Sequence, residues 1–307
     1  MKKIACPSFS GICSTDILPI LPTSKVDRNF LYYYLRQPSY IELATARSTG
    51  ANLPRLSPKD LAEFPVFVPQ IDEQRRIAEI LDRADAIRRK RQEAIRLTEE
   101  LLRSAFLEMF GDPVTNPKGW DICKIGEITT VKTGKTPSRD EPDNYGGTTR
   151  WVKTTEVRNE IIEETEEHLT EKGASQMTIF PKNSIIVAMY GQGVTRGRTA
   201  LLNQPCATNQ ACAIILPSSK FKHNYLWTLL KLSYKELRDL GRGGNQPNLN
   251  LDMIKHFEIP SPPLEIQQKF DSFQKALLLR SERLEEVSEL QNYLFNSLLQ
   301  RAFRGEL

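Results

Sequence analysis

Two glycine-rich loops contain residue types that can contact a nucleic acid. The first runs from Tyr190 to Arg198 and the second from Gly241 to Pro247. Glycine lets a backbone approach another polymer closely, Arg can donate two hydrogen bonds to a guanine edge, and Asn or Gln can pair with adenine. The candidate base-contacting residues are Tyr190, Gln192, Arg196, Arg198, Arg242, Asn245 and Gln246. The same residues are equally compatible with a pair of mobile turns.

A second group of candidates surrounds Gly134-Lys135-Thr136, which is similar to part of a phosphate-binding loop. Thr129 stands where that motif requires its first glycine, and Pro137 follows where its helix should continue. A nucleotide site is therefore not expected here. We expect contacts with DNA phosphates instead, from Lys132, Lys135, Thr136 and Lys153. Arg196→Ala is expected to relax sequence preference, and Lys135→Ala to weaken binding to all sequences alike.

Composition excludes several other functions. Five cysteines include no C-x-x-C pair, and only three histidines are present, so we expect no metal site. The chain contains no methyltransferase motif, no glycine fingerprint after a strand and no nuclease cluster, so we expect no catalytic residue. A net charge of +4 permits nucleic-acid binding if the basic residues cluster. No apolar run has the length of a signal or a membrane span, which predicts a cytoplasmic protein.

Two long helices are expected to position these loops. Residues 71–110 contain no proline or glycine, and apolar side chains recur at the helical period, including Ile77, Leu81, Ile87, Leu101 and Phe106. At about 1.5 Å per residue, such a helix is about 60 Å long and suits a spacer between modules. Arg88-Arg89-Lys90-Arg91 lies within it among acidic residues, which indicates a solvated or partner-facing surface.

The chain repeats this arrangement. The stretch ILPTSKVDRNFL at 20–31 is matched by ILPSSKFKHNYL at 215–226, and from residue 50 onward the offset changes from 195 to 193. Residues 264–303 are thus the second long helix, with the predicted apolar stripe Phe270, Phe273, Leu277, Leu284, Val287, Leu294 and Leu298. We expect the two helices to pack antiparallel. Replacing Leu284 and Val287 with Asp should abolish folding or partner docking.

Shorter elements follow from local signals. In the first module we expect a buried strand over residues 12–22, a helix after Asp27, a small helix capped by Ser57, and a strand from Phe64 to Val68. In the second, strand-like stretches cover residues 120–133, 149–157, 179–190 and 200–216. The acidic run Glu160, Glu163, Glu164, Glu166 and Glu167 is expected to be a surface face.

The whole chain resembles a known family. The stretches FGDPVTNPKGW, KTGKTPSR, YGQGVTRGRTA and TNQACAI, in a module-helix-module-helix order, are similar to the specificity (S) subunit of type I restriction-modification systems. That resemblance implies an α+β fold in which mixed α/β target-recognition domains are joined by two long antiparallel coiled-coil helices, with a pseudo-twofold repeat. It implies binding of double-stranded DNA and assembly with modification (methyltransferase) and restriction (translocase and nuclease) subunits. S-adenosylmethionine, ATP and Mg would belong to those subunits, and no cofactor to this chain.

Four parts are predicted from the resemblance and the repeat: a partial first recognition domain at 1–70, a spacer helix at 71–110, a second recognition domain at 111–263 and a second spacer helix at 264–307. Residues 1–70 have no counterpart of about 115–195, so we expect unpaired strand edges and exposed apolar surface around Ile17, Leu18 and Tyr33. The alternatives are a coiled-coil scaffold or assembly protein, or a decayed fragment without independent DNA recognition.

Overall fold

The computed structural model describes residues 4–48, 56–191, 193–241 and 247–306, without the side chains of 280–286, 288 and 289. The chain divides into two compact units, one made of residues 1–98 and 280–307 and the other of residues 99–279. Both unit boundaries fall inside the two long helices, α4 (Ile71–Phe110) and α10 (Leu264–Phe303), whose bounds agree with the prediction.

The described residues of unit 1 form three short helices besides the parts of α4 and α10. They are α1 (Arg28–Leu35), α2 (Pro38–Ala46) and α3 (Pro58–Ala62). Asp27 caps α1 by accepting hydrogen bonds from the N–H groups of Asn29 and Phe30, and the Ser57 hydroxyl caps α3 by accepting from Asp60 N–H. Both predicted helix starts are therefore confirmed.

Two strands that we predicted in unit 1 are absent from its described residues. Residues 12–22 form turns and coil, with Ile12 and Leu21 exposed, and residues 64–68 are coil, although Phe64 is buried. A strand needs a hydrogen-bonded neighbour, and no other part of the described unit 1 is extended alongside these residues. Exposed apolar surface is confirmed at Ile17, which is 56% exposed.

Tyr33, in contrast, is buried, and the expectation that it would be exposed is wrong. Its hydroxyl donates a 2.7 Å hydrogen bond to Asp82, and its ring packs edge-on against Phe295. Phe30 packs in the same way against Phe303. The core of unit 1 is thus formed by one face of α1 against the first part of α4 and the last part of α10.

The described part of unit 2 contains three sheets. Its strands are β1 (Ile122–Lys124), β2 (Val131–Thr133), β3 (Tyr145–Val152), β4 (Ile161–Ile162), β5 (Glu167–Leu169), β6 (Ile185–Ala188), β7 (Thr199–Leu202), β8 (Ala207–Thr208), β9 (Cys212–Ile215) and β10 (Glu258–Pro260). The orders are β2-β9-β6-β7-β4, β5-β3-β8 and β1-β10. Strands lie in all four predicted stretches. The middle of the five-stranded sheet is covered on both faces, because β6, β7 and β9 are buried at every position.

The helices of unit 2 are α5 (Ile125–Ile128), α6 (Glu171–Ser175), α7 (His223–Leu232), α8 (Tyr234–Asp239) and α9 (Leu251–Lys255), with the last part of α4 and the first part of α10. They cover one face of the five-stranded sheet, except for α6, which packs against β3 and β5. Tyr225 of α7 packs against Phe110 at 4.6 Å between ring centroids, and Phe270 of α10 packs against Phe106 at 5.3 Å. One core of unit 2 lies between the sheet and these aromatic side chains, and a second lies on the other face of the sheet, around Phe180 and Ile186.

Each unit pairs opposite ends of the two long helices, as an antiparallel arrangement requires. In unit 1 the Arg88 guanidinium lies 5.2 Å from the centre of the Phe295 ring, and in unit 2 Phe110 contacts Phe270. Four residues of the predicted apolar stripes are nevertheless 39–54% exposed. They are Ile87, Leu101, Val287 and Leu294. The side chain of Leu284 lies outside the described part.

The basic run of α4 is only partly solvated. Arg88 and Arg89 form ion pairs with buried Asp85 at 2.7 and 3.2 Å, and Arg36 of α1 approaches the same carboxylate at 3.8 Å. A buried carboxylate needs such partners to remain charged. Arg88 is therefore half-buried as part of an ion-pair network within unit 1, unlike the exposed Arg89.

Candidate nucleic-acid interface

Several predicted DNA-contacting residues lie at one edge of the five-stranded sheet. The register places Thr133 of β2 beside Ala213 of β9 and Ala213 beside Val187 of β6, which is itself opposite Thr199 of β7. Because neighbouring strands in this set are antiparallel, residues 134–136, 189–198 and 209–211 leave the sheet at the same end. This edge brings together Lys135, Thr136, Tyr190, Arg196 and Arg198.

The segment after β2 is fixed by close contact with the segment before β9. Lys135 N–H donates a 2.8 Å hydrogen bond to Thr208 O, and the Thr136 hydroxyl donates a 2.5 Å hydrogen bond to Gln210 Oε1. A Cβ at Gly134 would overlap the Thr208 carbonyl, so only glycine permits this approach. The backbone of Lys135 is thus held in place while its side chain is exposed.

Helix α8 holds the loop of residues 190–198. The Tyr234 hydroxyl donates to Val194 O at 2.8 Å, and the Arg238 guanidinium donates to Arg196 O at 3.0 Å and Gly193 O at 2.5 Å. Gly197 has a φ of +83°, and a Cβ there would lie 3.2 Å from the Arg238 Cβ. Neither Tyr234 nor Arg238 was predicted from the sequence to position this loop. Their spacing of four places them on one helix face, but no local signal indicated which loop that face contacts.

Arg196 and Arg198 have different environments. The Arg196 guanidinium donates to Pro247 O, which links the first loop to the end of the second, and its Nε is buried without a partner among the described residues. The Arg198 side chain is half-exposed and has no hydrogen bond or ion pair within the described structure. Arg196 therefore orders the loops, whereas Arg198 is available to a ligand. Four other candidates lie outside the described residues: Gln192, Arg242, Asn245 and Gln246.

Lys153 is already paired with carboxylates. Its Nζ lies 2.9 Å from Glu166 and 2.9 Å from Glu167, and these hydrogen bonds raise the pKa of Lys153 and lower the pKa of Glu166. Arg139 pairs with Glu167 at 2.7 Å. The predicted acidic surface face is confirmed, since Glu160, Glu163, Glu164 and Glu166 are exposed and Glu167 is half-buried. To contact a phosphate, Lys153 would have to give up these two carboxylates.

Lys132, Lys135 and Arg198 have no such carboxylate partner among the described residues. Lys132 is exposed on β2, one residue before that strand ends, and Tyr190 is 44% exposed two residues after the end of β6. Charges without a protein partner lose little when they bind a phosphate or a base edge, because no existing ion pair must be broken. The DNA-contacting role of these residues stays a prediction.

Two further chemical possibilities concern metals and membranes. In the described ranges, no group of three or more His, Cys, Asp or Glu side chains is placed to hold a metal ion. No described helix has both the length and the apolar character needed to cross a membrane.

Comparison with known proteins identifies the family. The type I restriction modification DNA specificity domain matches residues 4–97 and 117–291. The MjaIX specificity subunit of Methanocaldococcus jannaschii is 24% identical over 94% of this chain and 71% of its own length. The HindI specificity subunit of Haemophilus influenzae is 30% identical over 62% of this chain and 42% of its own length.

A solved structure shows the same fold. The type I restriction-modification system S subunit from M. genitalium covers 91% of this chain and 73% of that chain, with a TM-score of 0.60 and 17% identity. This likeness confirms the α+β architecture with its long helices. The family model, which matches both units, decides membership. The chain belongs to the type I restriction modification DNA specificity domain family, the non-catalytic components that recognise the DNA sequence in type I restriction-modification systems.

Proposed function

We propose that unit 2 binds double-stranded DNA at the sheet edge formed by residues 134–136 and 189–198. Arg198 contacts a base edge, Lys132 and Lys135 contact phosphates, and Arg196 positions the loop. The chain works in the cytoplasm together with modification and restriction subunits. S-adenosylmethionine, ATP and Mg bind to those subunits.

The observation that carries this proposal is the contrast between Arg198 and the paired cations of the same unit. Arg198 has no described partner at an edge where the backbone is fixed by Arg238, whereas Arg139, Arg150 and Lys153 are neutralised by glutamates. A cation on a fixed loop loses little conformational entropy on binding, which favours specific contacts.

The test compares Arg198→Ala with Arg158→Ala in the complex assembled with its modification subunits. Arg158 is an exposed cation 3.9 Å from Glu166 and is the matched control. Methylation-site mapping first identifies the target, and DNA affinity is then measured on cognate and unrelated duplexes at one salt concentration. Loss of a bidentate base contact costs about 1–3 kcal/mol.

Arg198→Ala should therefore weaken cognate binding by about five- to 150-fold and relax preference at one base pair, while Arg158→Ala stays within about twofold. Equal affinity and an unchanged methylation pattern in Arg198→Ala would place the base contacts elsewhere. A complex that assembles but binds no DNA would support the coiled-coil scaffold instead.

A further inference from the structure

Gln210 is an exposed amide in the middle of the sheet edge proposed to bind DNA. It is the second residue of the turn at 209–212, which joins β8 to β9 and in which Cys212 N–H bonds to Asn209 O at 3.3 Å. In the strand order, β9 lies between β2 and β6. The turn therefore lies between residues 134–136, which follow β2, and residues 189–190, which follow β6.

Neighbouring strands hold the backbone of this turn on both sides. The Thr133 hydroxyl at the end of β2 donates a 3.1 Å hydrogen bond to Gln210 O. On the other side, Met189 N–H, one residue after β6, donates a 2.9 Å hydrogen bond to Ala211 O. The main chain that carries the Gln210 side chain is thus fixed before any ligand binds.

The amide of Gln210 is oriented as well. The Thr136 hydroxyl donates a 2.5 Å hydrogen bond to Gln210 Oε1, and the side chain of Gln210 has no other hydrogen bond among the described residues. The oxygen of such an amide accepts two hydrogen bonds and its nitrogen donates two. One acceptor position and two donor positions of an exposed, oriented amide therefore remain open to a ligand.

These open positions match one base better than the others. In the major groove adenine presents the N6 amino donor beside the N7 acceptor, and a glutamine amide pairs with both at once. Guanine presents the two acceptors O6 and N7, so Oε1 would face O6 with no proton between them. Cytosine offers the N4 donor without a neighbouring acceptor, and thymine offers the O4 acceptor without a donor.

We propose that Gln210 reads an adenine in the DNA bound by unit 2, with Nε2 donating to N7 and Oε1 accepting from the N6 amino group. Thr136 is a positioning residue, because its hydroxyl orients the amide and so reduces the conformational entropy that Gln210 loses on binding. The inference rests on the proposed function, since it requires DNA at this edge.

Gln210 and Arg198 should read different base pairs. Arg198 directly precedes β7, and β6 lies between β7 and β9. Neighbouring strands are about 4.8 Å apart, so the backbones of the two residues are about 10 Å apart at the edge. Successive base pairs are separated by about 3.4 Å along the duplex. The two side chains therefore contribute separate parts of the recognised sequence.

The test uses the complex assembled with its modification subunits and the target identified by methylation-site mapping. Affinity is measured for duplexes in which each adenine of the target is replaced in turn by 7-deazaadenine, which lacks the N7 acceptor. Gln210→Ala is compared with Gln204→Ala. Gln204 is the matched control because it is exposed and follows β7 at the opposite end of the sheet.

Gln210→Ala should weaken cognate binding by about five- to 150-fold and relax preference at one A·T pair, while Gln204→Ala stays within about twofold. At that pair, 7-deazaadenine should weaken binding by the wild type about fivefold and binding by Gln210→Ala not at all, because the contact is already lost. At every other adenine the base substitution should affect the wild type and Gln210→Ala equally.

The role of Thr136 has its own readout. Thr136→Val removes the hydroxyl and should weaken cognate binding about fivefold in the wild type, with no further loss in Gln210→Ala. Thr136→Ser keeps the hydroxyl and should restore the affinity. A loss that persists in Gln210→Ala would show that Thr136 contacts DNA directly and does not act through Gln210.

Failure of this inference can be distinguished from failure of the proposed function. If Gln210→Ala binds like Gln204→Ala while Arg198→Ala relaxes a base preference, DNA binds at this edge but Gln210 does not read it. Coupling to 7-deazaadenine at no position, or a target without an A·T pair, would also overturn the inference. Unchanged affinity in Arg198→Ala, Lys135→Ala and Gln210→Ala together would remove DNA from the edge and overturn both.

Discussion

At the residue scale, Lys231 of unit 2 carries a charge at a partly buried position, over the ring of Trp227. Its Nζ lies 3.8 Å from the centre of the Trp227 ring, and Trp227 Nε1 donates a 3.1 Å hydrogen bond to Thr199, next to Arg198. Burial lowers the pKa of Lys231 to about 8, opposed by nearby Glu99. The cation therefore costs stability at neutral pH, although the ring recovers part of that cost.

This environment predicts a pH-dependent stability. The folded pKa of about 8 lies below the unfolded value, so the unfolded state binds more protons between the two values. Stability should rise as pH increases from about 8 toward about 10.4. Lys231→Met should raise the unfolding temperature at pH 7 and flatten this dependence, while exposed Lys235→Met should do neither. Parallel pH profiles for the wild type and Lys231→Met would contradict the assignment.

At the element scale, a buried glutamine fixes the start of each long helix in the same way. Gln74 Oε1 accepts from Asp27 N–H at 2.8 Å, and its Nε2 donates to Pro69 O at 2.7 Å. Gln267 likewise accepts from Lys222 N–H at 2.9 Å and donates to Pro262 O at 2.8 Å. The repeat found in the sequence therefore corresponds to a repeated contact. In each copy the glutamine joins the start of the long helix to the proline segment before it and to the start of a short helix, which is α1 in unit 1 and α7 in unit 2.

Gln74→Leu should destabilise unit 1. It leaves buried backbone groups unpaired, including Asp27 N–H and Pro69 O, which costs about 1–3 kcal/mol. The measurement is the free energy of unfolding by urea, and the control is Gln70→Leu, an exposed position one turn earlier. Equal stability of the two variants would show that water replaces the glutamine.

The pairing of the long helices predicts that substitutions at a buried and at an exposed position of α10 have different effects on folding stability. Phe270 is fully buried between Phe106 and Phe110, so Phe270→Ala should cost about 3–5 kcal/mol. Val287 is 39% exposed, so Val287→Asp should change folding stability by no more than about 0.5 kcal/mol. Thermal unfolding of the two variants measures this difference in stability. If Val287→Asp abolishes assembly with the modification subunits without unfolding the chain, its contribution is to docking.

At the scale of the whole molecule, a net charge of +4 is too small to hold DNA by itself, so the distribution of charge must do so. The acidic run neutralises Arg139, Arg150 and Lys153, while Lys132, Lys135 and Arg198 remain without carboxylates among the described residues. Phosphate contacts release counterions, and each one adds about −0.9 to the slope of log affinity against log salt.

Lys135→Ala should therefore reduce the magnitude of this slope by about one and weaken cognate and unrelated duplexes alike. The measurement is a salt titration of DNA affinity for the assembled complex. Lys172→Ala is the control because its Nζ is paired with Glu141 at 2.9 Å. A change confined to cognate DNA would make Lys135 a base contact.

The sequence by itself determined both long helices and the starts of α1 and α3. A helix satisfies its backbone hydrogen bonds within its own segment, and the caps at Asp27 and Ser57 act over three residues, so local patterns predict them. The repeat and the family motifs also indicated the loop at residues 190–198 and its cations before any contact was known.

Only the tertiary structure decided which predicted strands form and which cations are free. Residues 12–22 have the sequence of a strand, yet a strand needs a partner from elsewhere in the chain, and unit 1 offers none among its described residues. Tyr33 is buried because Phe295 reaches it from the far end of the chain, and Lys153 is paired because β5 brings Glu167 beside β3. Such contacts join residues distant in sequence, and no local pattern encodes them.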